Sequence, residues 1–326
     1  MRLEVLNNFA HLQEFRSEWR RFSDTIKGLT PFQSPDWLLI WWRHFGGGTL
    51  RVLVFREEDE LTGIIPLFLH EWNGRRQLTL IGSGISDYLE PAIAPERREA
   101  VLAALRTYLL KTKDWEICDW QDLAADTPLA RLGRLSADTP CSEIALTGEF
   151  EQYWARRSKD LRRNLRRYGH RAEETGAFEF SVTCKADSAL IGDLIRLHGE
   201  RWEKQGQPGM LVANRSAEFL CDAALEFEGR QLLRIFSLRY RGEVAAASIG
   251  FVCRNTLYSY LSAFDPQHEL LGFGRRLLYE SLRYGYRQRY TAWNFCRGEE
   301  PYKFSFGADR IPKCRLTMTR EELHRA

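Results

Sequence analysis

No run in the chain approaches eighteen apolar residues, and the opening Met1-Arg-Leu-Glu-Val-Leu lacks the basic stretch, apolar core and small-residue cleavage site of a secretion signal. Neither a spanning helix nor export is expected, so the expected location is cytoplasmic, with peripheral contact to a membrane still compatible. Paired cysteines are also missing. The seven Cys (118, 141, 184, 221, 253, 296, 314) are scattered singly, with no CxxC and no Cys/His cluster at metal spacing. A disulfide framework and a zinc site are excluded, no metal is expected, and the thiols read as small core residues, Cys296 among them. An excess of one charge is lacking as well, since 47 basic residues face 44 acidic ones. A net charge of +3 does not by itself point to nucleic acid.

What the sequence does have is length, apolar content and a repeated order of elements. With 326 residues, 44% of them hydrophobic, the chain can bury a large core, and its length suggests two domains. One series runs Leu50–Phe55, Ile64–Leu69 and Gln77–Ile81, and the other runs Leu233–Leu238, Val244–Ile249 and Leu257–Leu261. Each is a set of short β-rich runs separated by turn residues, which predicts a three-stranded antiparallel meander. An amphipathic helix follows in both cases, with Val101, Ala104, Leu105, Tyr108 and Leu109 on one stripe after Pro95, and Leu277, Leu278, Leu282 and Tyr286 on a helix over 274–289. A strand then closes each unit, Trp115–Trp120 and Ala292–Cys296. Helical preludes are expected over 9–22, 37–45 and 189–205. The predicted class is α+β, with two tandem units, each a mixed, mostly antiparallel sheet flanked by helices. The Thr-, Pro-, Ser- and Gly-rich stretch Asp126–Gly148 reads as the junction. This gives domains over 1–130 and 151–326, with 131–150 between them.

Three segments carry chemistry. Strand Ala292–Cys296 empties into Arg297-Gly-Glu-Glu-Pro-Tyr-Lys303, which places two carboxylates, a Tyr and a Lys at a strand end where a rigid element can aim them. Only the second unit has glycines where its helix begins, Leu271-Gly272-Phe273-Gly274, followed by Arg275 and Arg276. Free backbone N–H groups and the positive end of a helix dipole suit phosphate oxygens, and Arg binds them bidentately. Between Arg156 and Arg171, eight Lys or Arg accompany one Asp. There Arg162 with Arg166, and Arg163 with Arg167, stand at i, i+4 and form a cationic stripe. The stripe suits a CoA phosphate, an anionic glycan or tRNA, and it also suits a merely solvated face.

Glu269-Leu-Leu-Gly272-Phe-Gly274 resembles the pyrophosphate-binding signature of the GNAT acyltransferase superfamily, Q/R-x-x-G-x-G/A, with Glu in the first position and the backbone cradle kept. Pro31-Phe-Gln-Ser-Pro-Asp-Trp37, Gly82-Ser-Gly-Ile-Ser-Asp-Tyr88 and Gly298-Glu-Glu-Pro-Tyr-Lys-Phe304 widen the likeness. These segments look like the CelD/BcsL-like acetyltransferases associated with exopolysaccharide biosynthesis, which are similar to the tandem-GNAT FemAB peptidyltransferases. The resemblance covers most of residues 5 to 310. It implies acyl-CoA, such as acetyl-CoA, on Leu271–Arg276, with its thioester toward the crevice between units. It also implies Lys303 as charge stabiliser, Tyr302 as donor, Asp87 as base or acceptor anchor beside Tyr88, and Glu299 as a support. The acceptor would be a small molecule, glycan or peptide bearing an amine or hydroxyl. Two other classes stay open. An aminoacyl-tRNA-dependent transferase would use the arginine stripe, although the coiled-coil insertion that usually accompanies such enzymes is not found. A binding module with a dead site would fit the Glu at position 269.

Overall fold

A computed structural model describes residues 1–176, 178–204, 206 and 214–325. The chain divides into two compact units, Met1–Thr139 with Pro312–Ala326, and Pro140–Ile311.

In the first unit, β1 (Arg2–Leu6) pairs antiparallel with β2 (Thr49–Glu57), and α1 (Phe9–Thr25) and α2 (Pro35–Phe45) lie between them in sequence. Asn8 opens α1 by accepting from the Ala10 N–H at 2.8 Å. Ser34 caps α2, and Pro35 takes the first helical position, where its missing donor costs nothing. The expected meander is β2, β3 (Glu60–Trp72) and β4 (Arg75–Leu80), all antiparallel. The short β5 (Ala92–Ile93) pairs with β3 and precedes α3 (Arg98–Lys111). β6 (Ile117–Ala124) then returns parallel to β4.

The second unit repeats that order. After β7 (Arg134–Ala145), α4 (Phe150–Ala155), α5 (Lys159–Thr175) and β8 (Phe178–Thr183) come α6 (Ser188–Lys204) and α7 (Asn214–Gly229). The expected end of α6 at Gln205 lies outside the described residues. The meander β9 (Leu233–Tyr240), β10 (Glu243–Cys253) and β11 (Thr256–Phe264) is antiparallel throughout. α8 (Phe273–Arg287) leads to β12 (Ala292–Arg297), which is parallel to β11. The core between α8 and the sheet is aromatic-rich, with Phe236, Trp293 and Phe306 all at or below 1% exposure.

The linear boundaries need two corrections. Much of the stretch expected as a junction, 131–150, is the strand β7, whose Ala145, Ile144, Glu143 and Cys141 pair with β12. The residues after the short α9 (Pro301–Ser305) do not all stay with the second unit. β13 (Asp309–Thr319) pairs antiparallel with β6, from Lys313 opposite Ala124 to Thr319 opposite Ile117, and α10 (Arg320–Arg325) follows it. Residues 312–326 therefore group with the first unit, because ladder hydrogen bonds outrank proximity in sequence.

Candidate functional site

The geometry that makes a site in the second unit begins with a strand pair that separates. β11 and β12 pair only from Thr256 with Ala292 to Tyr258 with Asn294, and then both continue without pairing to each other, β11 to Phe264 and β12 to Arg297. Backbone donors and acceptors on the two separating strands are thus offered to a ligand, as at a sheet edge. A cavity of about 500 Å³ opens here. Phe264 and Ser259 of β11, Trp293 and Phe295 of β12, and Leu277 of α8 are among its wall residues.

The start of α8 forms part of the same wall. Gly272 sits at the N-cap with φ +64°, and no side chain caps the helix. Glycine is required at this position, since a Cβ would stand 2.4 Å from the Tyr168 ring and a left-handed backbone penalises any L side chain. At Gly274 a Cβ would come within 2.9 Å of Phe264. The two glycines thus let the helix end approach α5 and β11 closely, and its first amides stay free for an anion.

Four arginines (167, 171, 201 and 275) line the cavity, and no Asp or Glu does so among the described residues. Among the described residues, Arg275 has a long contact with the Tyr168 hydroxyl, 3.5 Å. Arg276, expected beside it as a phosphate ligand, is used elsewhere. It pairs with the buried Glu280 at 2.7 Å and lies over the Phe178 ring at 4.6 Å, and it is not a wall residue. Gly272, Phe273 and Gly274 are on the wall, while Leu271 ends the preceding turn and its neighbour Leu270 forms the rim, 79% exposed. The Glu269 side chain lies outside the described residues.

The arginine stripe of α5 divides similarly. Arg167 reaches the cavity. Arg163 is exposed and bound to Asp160 at 2.7 Å, Arg166 is exposed, and Arg162 is half-buried with its Nε unpartnered among the described residues. Leu161 and Leu165 are the buried positions that hold the helix down.

The strand exit behaves differently from expectation. Tyr302 lines the cavity, and burial, reinforced by the Glu300 carboxylate, holds its hydroxyl well above the ordinary phenol range, so it stays a donor. Lys303, 2% exposed, is not a wall residue. Its Nζ lies 3.3 Å from the Phe295 carbonyl oxygen, 2.8 Å from that of Arg297, 3.2 Å from that of Gly298 and 2.9 Å from the Glu300 carboxylate. The ammonium gathers the carbonyls at the end of β12, where Cys296 adopts φ +58° with its N–H bonded to the Asn294 side chain at 2.8 Å. Glu299 pairs with Arg310 at 2.7 Å.

Asp87 and Tyr88 belong to the first unit, and both are buried. Tyr88 stacks on Phe32 with ring centroids 6.2 Å apart, and the Lys313 ammonium sits 4.1 Å from its ring centre. The Pro31–Trp37 motif is structural here. Trp37 Nε1 donates to Ser86 at 2.9 Å, Gln33 donates to the Glu90 carbonyl at 3.2 Å, and Asp36 binds Arg16 and Arg20 of α1.

Sequence reasoning missed Tyr168, Arg201 and the serines at 248, 259, 262 and 281, all of them wall residues. The serines left a signal, since Ser248 interrupts an otherwise apolar strand and Ser281 interrupts the buried stripe of α8.

Among the described residues no helix is long and apolar enough to cross a membrane, and no group of three or more His, Cys, Asp or Glu could hold a metal. Residues 159–304 match the family described as an acetyltransferase (GNAT) domain. No curated protein matches the sequence significantly. Among solved structures, FemX superposes with a TM-score of 0.68 at 10% identity, covering 100% of this chain and 99% of its own. The C-terminal domain of a putative lysylphosphatidylglycerol synthetase from Agrobacterium fabrum gives 0.57 at 12% identity, covering 96% and 92%. A tandem GNAT protein from the clavulanic acid biosynthesis pathway gives 0.53 at 13% identity, covering 98% and 99%. The chain therefore has the tandem GNAT fold, and residues 159–304 are similar to an acetyltransferase (GNAT) domain.

Proposed function

We propose that the protein is an acyltransferase whose second unit binds acyl-CoA and passes the acyl group, acetyl in the simplest case, to an amine or hydroxyl acceptor. The observation that carries this reading is the cavity mouth, where an uncapped helix start meets four arginines and no carboxylate among the described residues, beside two strands that part. Phosphates suit the mouth, and an amide-bearing arm suits the unpaired strand edges. In the reaction the acceptor forms a bond to the acyl carbon, the carbon–sulfur bond breaks, and the proton lost by the acceptor balances the departing thiolate, which leaves as the CoA thiol. Tyr302 is the donor on the cavity wall for the thioester oxygen or departing sulfur. Lys303 acts through the strand exit that it holds. Asp87 and Tyr88 are assigned to the acceptor, on the first unit. The resemblance to CelD/BcsL-like proteins supports a saccharide or cell-envelope precursor as acceptor, in the cytoplasm.

A second reading, transfer from an aminoacyl-tRNA, draws on the exposed arginines of α5, which suit a nucleic-acid backbone. Calorimetric titration with acetyl-CoA and with bulk tRNA separates the two. Heat with acetyl-CoA is expected. Heat with tRNA alone would transfer the assignment to the second reading, and none with either would leave a binding module without a donor.

A further inference from the structure

Among the described residues, which include all ten tryptophans, Trp72 is the one that stands exposed, at 62%. It ends β3 directly before the Asn73-Gly74 turn, whose positive φ values of 50° and 70° suit a tight hairpin. The pairing of β2 with β3 stops at Leu69, whereas β3 and β4 stay paired out to Trp72 opposite Arg75. The hairpin end therefore projects past β2 as a convex tip.

Alternate residues of a strand share a face, so Phe68, His70 and Trp72 stand on one side, with Arg75 beside Trp72 and Gln77 beside His70 across the hairpin. The rings follow one another, with centroids 5.0 Å apart from Phe68 to His70 and 6.3 Å from His70 to Trp72, and Trp42 of α2 lies 5.5 Å from Phe68. Gly46 and Gly48 keep the loop after α2 low against this row. A Cβ would come 2.6 Å from the Trp42 ring at the first and 3.1 Å from His70 at the second. Charge is sorted as well. Glu71 and its partner Arg76 stand on the opposite face, and Arg76 takes up Glu116 at 3.5 Å, while Arg75 stays on the aromatic side and Arg43 and His44 occupy the last turn of α2.

An indole at this tip has no core to fill, and a convex tip offers a folded partner no groove. A deformable surface suits it. An indole carries an apolar body and an N–H and settles at the boundary between hydrocarbon and headgroups, and a guanidinium binds phosphate. We propose that the β3–β4 hairpin end docks the first unit on an anionic lipid surface, with Trp72 at headgroup depth, His70 and Trp42 behind it, and Arg75 on lipid phosphates. One indole and few cations make the attachment weak and reversible. It does not depend on the donor cavity, which belongs to the second unit.

The test is cosedimentation of the whole chain with vesicles of phosphatidylcholine alone and of phosphatidylcholine mixed with phosphatidylglycerol, at low and high salt. Binding to the mixed vesicles is expected, weakening as salt rises. Trp72→Ala should lower the partition coefficient about tenfold and Arg75→Ala about fivefold, with Tm unchanged because both side chains are exposed. No sedimentation with the mixed vesicles, or equal sedimentation with both kinds, overturns the proposal. So does undiminished binding in Trp72→Ala, which would move the contact to another basic surface such as the exposed arginines of α5. Sedimentation equilibrium without lipid covers the remaining occupant: a dimer that Trp72→Ala separates would make a second copy the partner and overturn the lipid assignment.

Discussion

Replacing Lys303 with Met separates a residue that works on a substrate from one that works on the backbone. The side chain is 3% exposed, and its ammonium is met by three carbonyl oxygens and the Glu300 carboxylate. Met matches the length of the stem and removes the charge, leaving the carbonyls of Phe295, Arg297 and Gly298 to find other donors. Breaking a buried ion pair costs about 3–5 kcal/mol. Glu300 is 46% exposed and can rehydrate, so the lower figure, about 3 kcal/mol, applies. For a unit the size of Pro140–Ile311, each kcal/mol moves Tm by roughly 2–4 °C, so a fall of about 6–12 °C is expected. Scanning calorimetry with and without acetyl-CoA measures it, and a parallel titration should show weaker binding because Phe295 is a wall residue. Lys303→Arg should not rescue, since a planar guanidinium cannot converge on carbonyls as an ammonium does. An unchanged Tm with intact binding and lost turnover would refute this account and return the amine to the reacting atoms.

Three other outcomes follow from the same geometry. Gly272→Ala forces a Cβ to 2.4 Å from the Tyr168 ring at φ +64°, so a loss of about 1–3 kcal/mol in urea unfolding and weaker CoA binding are expected together. Arg275→Ala and Arg167→Ala should each weaken CoA binding and flatten its dependence on salt, read by titration between low and high ionic strength, with little change in Tm. Burial, and secondarily Arg201, holds His198 at a pKa of about 4, below its ordinary 6.5, and its Nε2 accepts from Trp202 Nε1 at 2.8 Å. Below pH 6.5 the unfolded chain takes up the proton first, so the stability from the neutral ring is full above 6.5 and is lost as pH falls toward 4. Urea unfolding at pH 7, 5.5 and 4.5 should therefore show a smaller decline in His198→Gln than in the unmodified protein.

The two meanders and their crossover helices were legible because both periodicities are strong there. Strands rich in Val, Leu and Ile stand between turn residues, and buried positions on α8 recur every three to four residues. β7 was not legible. Its Arg134-Leu-Ser-Ala-Asp-Thr-Pro140 portion is polar and largely exposed, which is the composition of a loop, and only its pairing shows it to be a strand. β13 hid for a similar reason, with Pro312 and two basic residues near its start. The glycines at the start of α8 were readable from sequence, because the conformation at Gly272 is a local demand. The work of Lys303 and Arg276 was not, because their partners are backbone oxygens, a carboxylate and ring faces that only the tertiary fold supplies.

The grouping of residues 312–326 with the first unit bears on how the chain comes off the ribosome. Lys313 of β13 pairs with Ala124 of β6, so this ladder joins positions separated by the whole second unit. Such a pairing closes a long loop and forms slowly. During synthesis, the unit made first waits with β6 unpaired along one edge until residues 312–319 emerge, while the second unit can already have closed around its own core. An exposed strand edge recruits other chains, so the waiting edge of β6 is a place where nascent molecules are prone to aggregate.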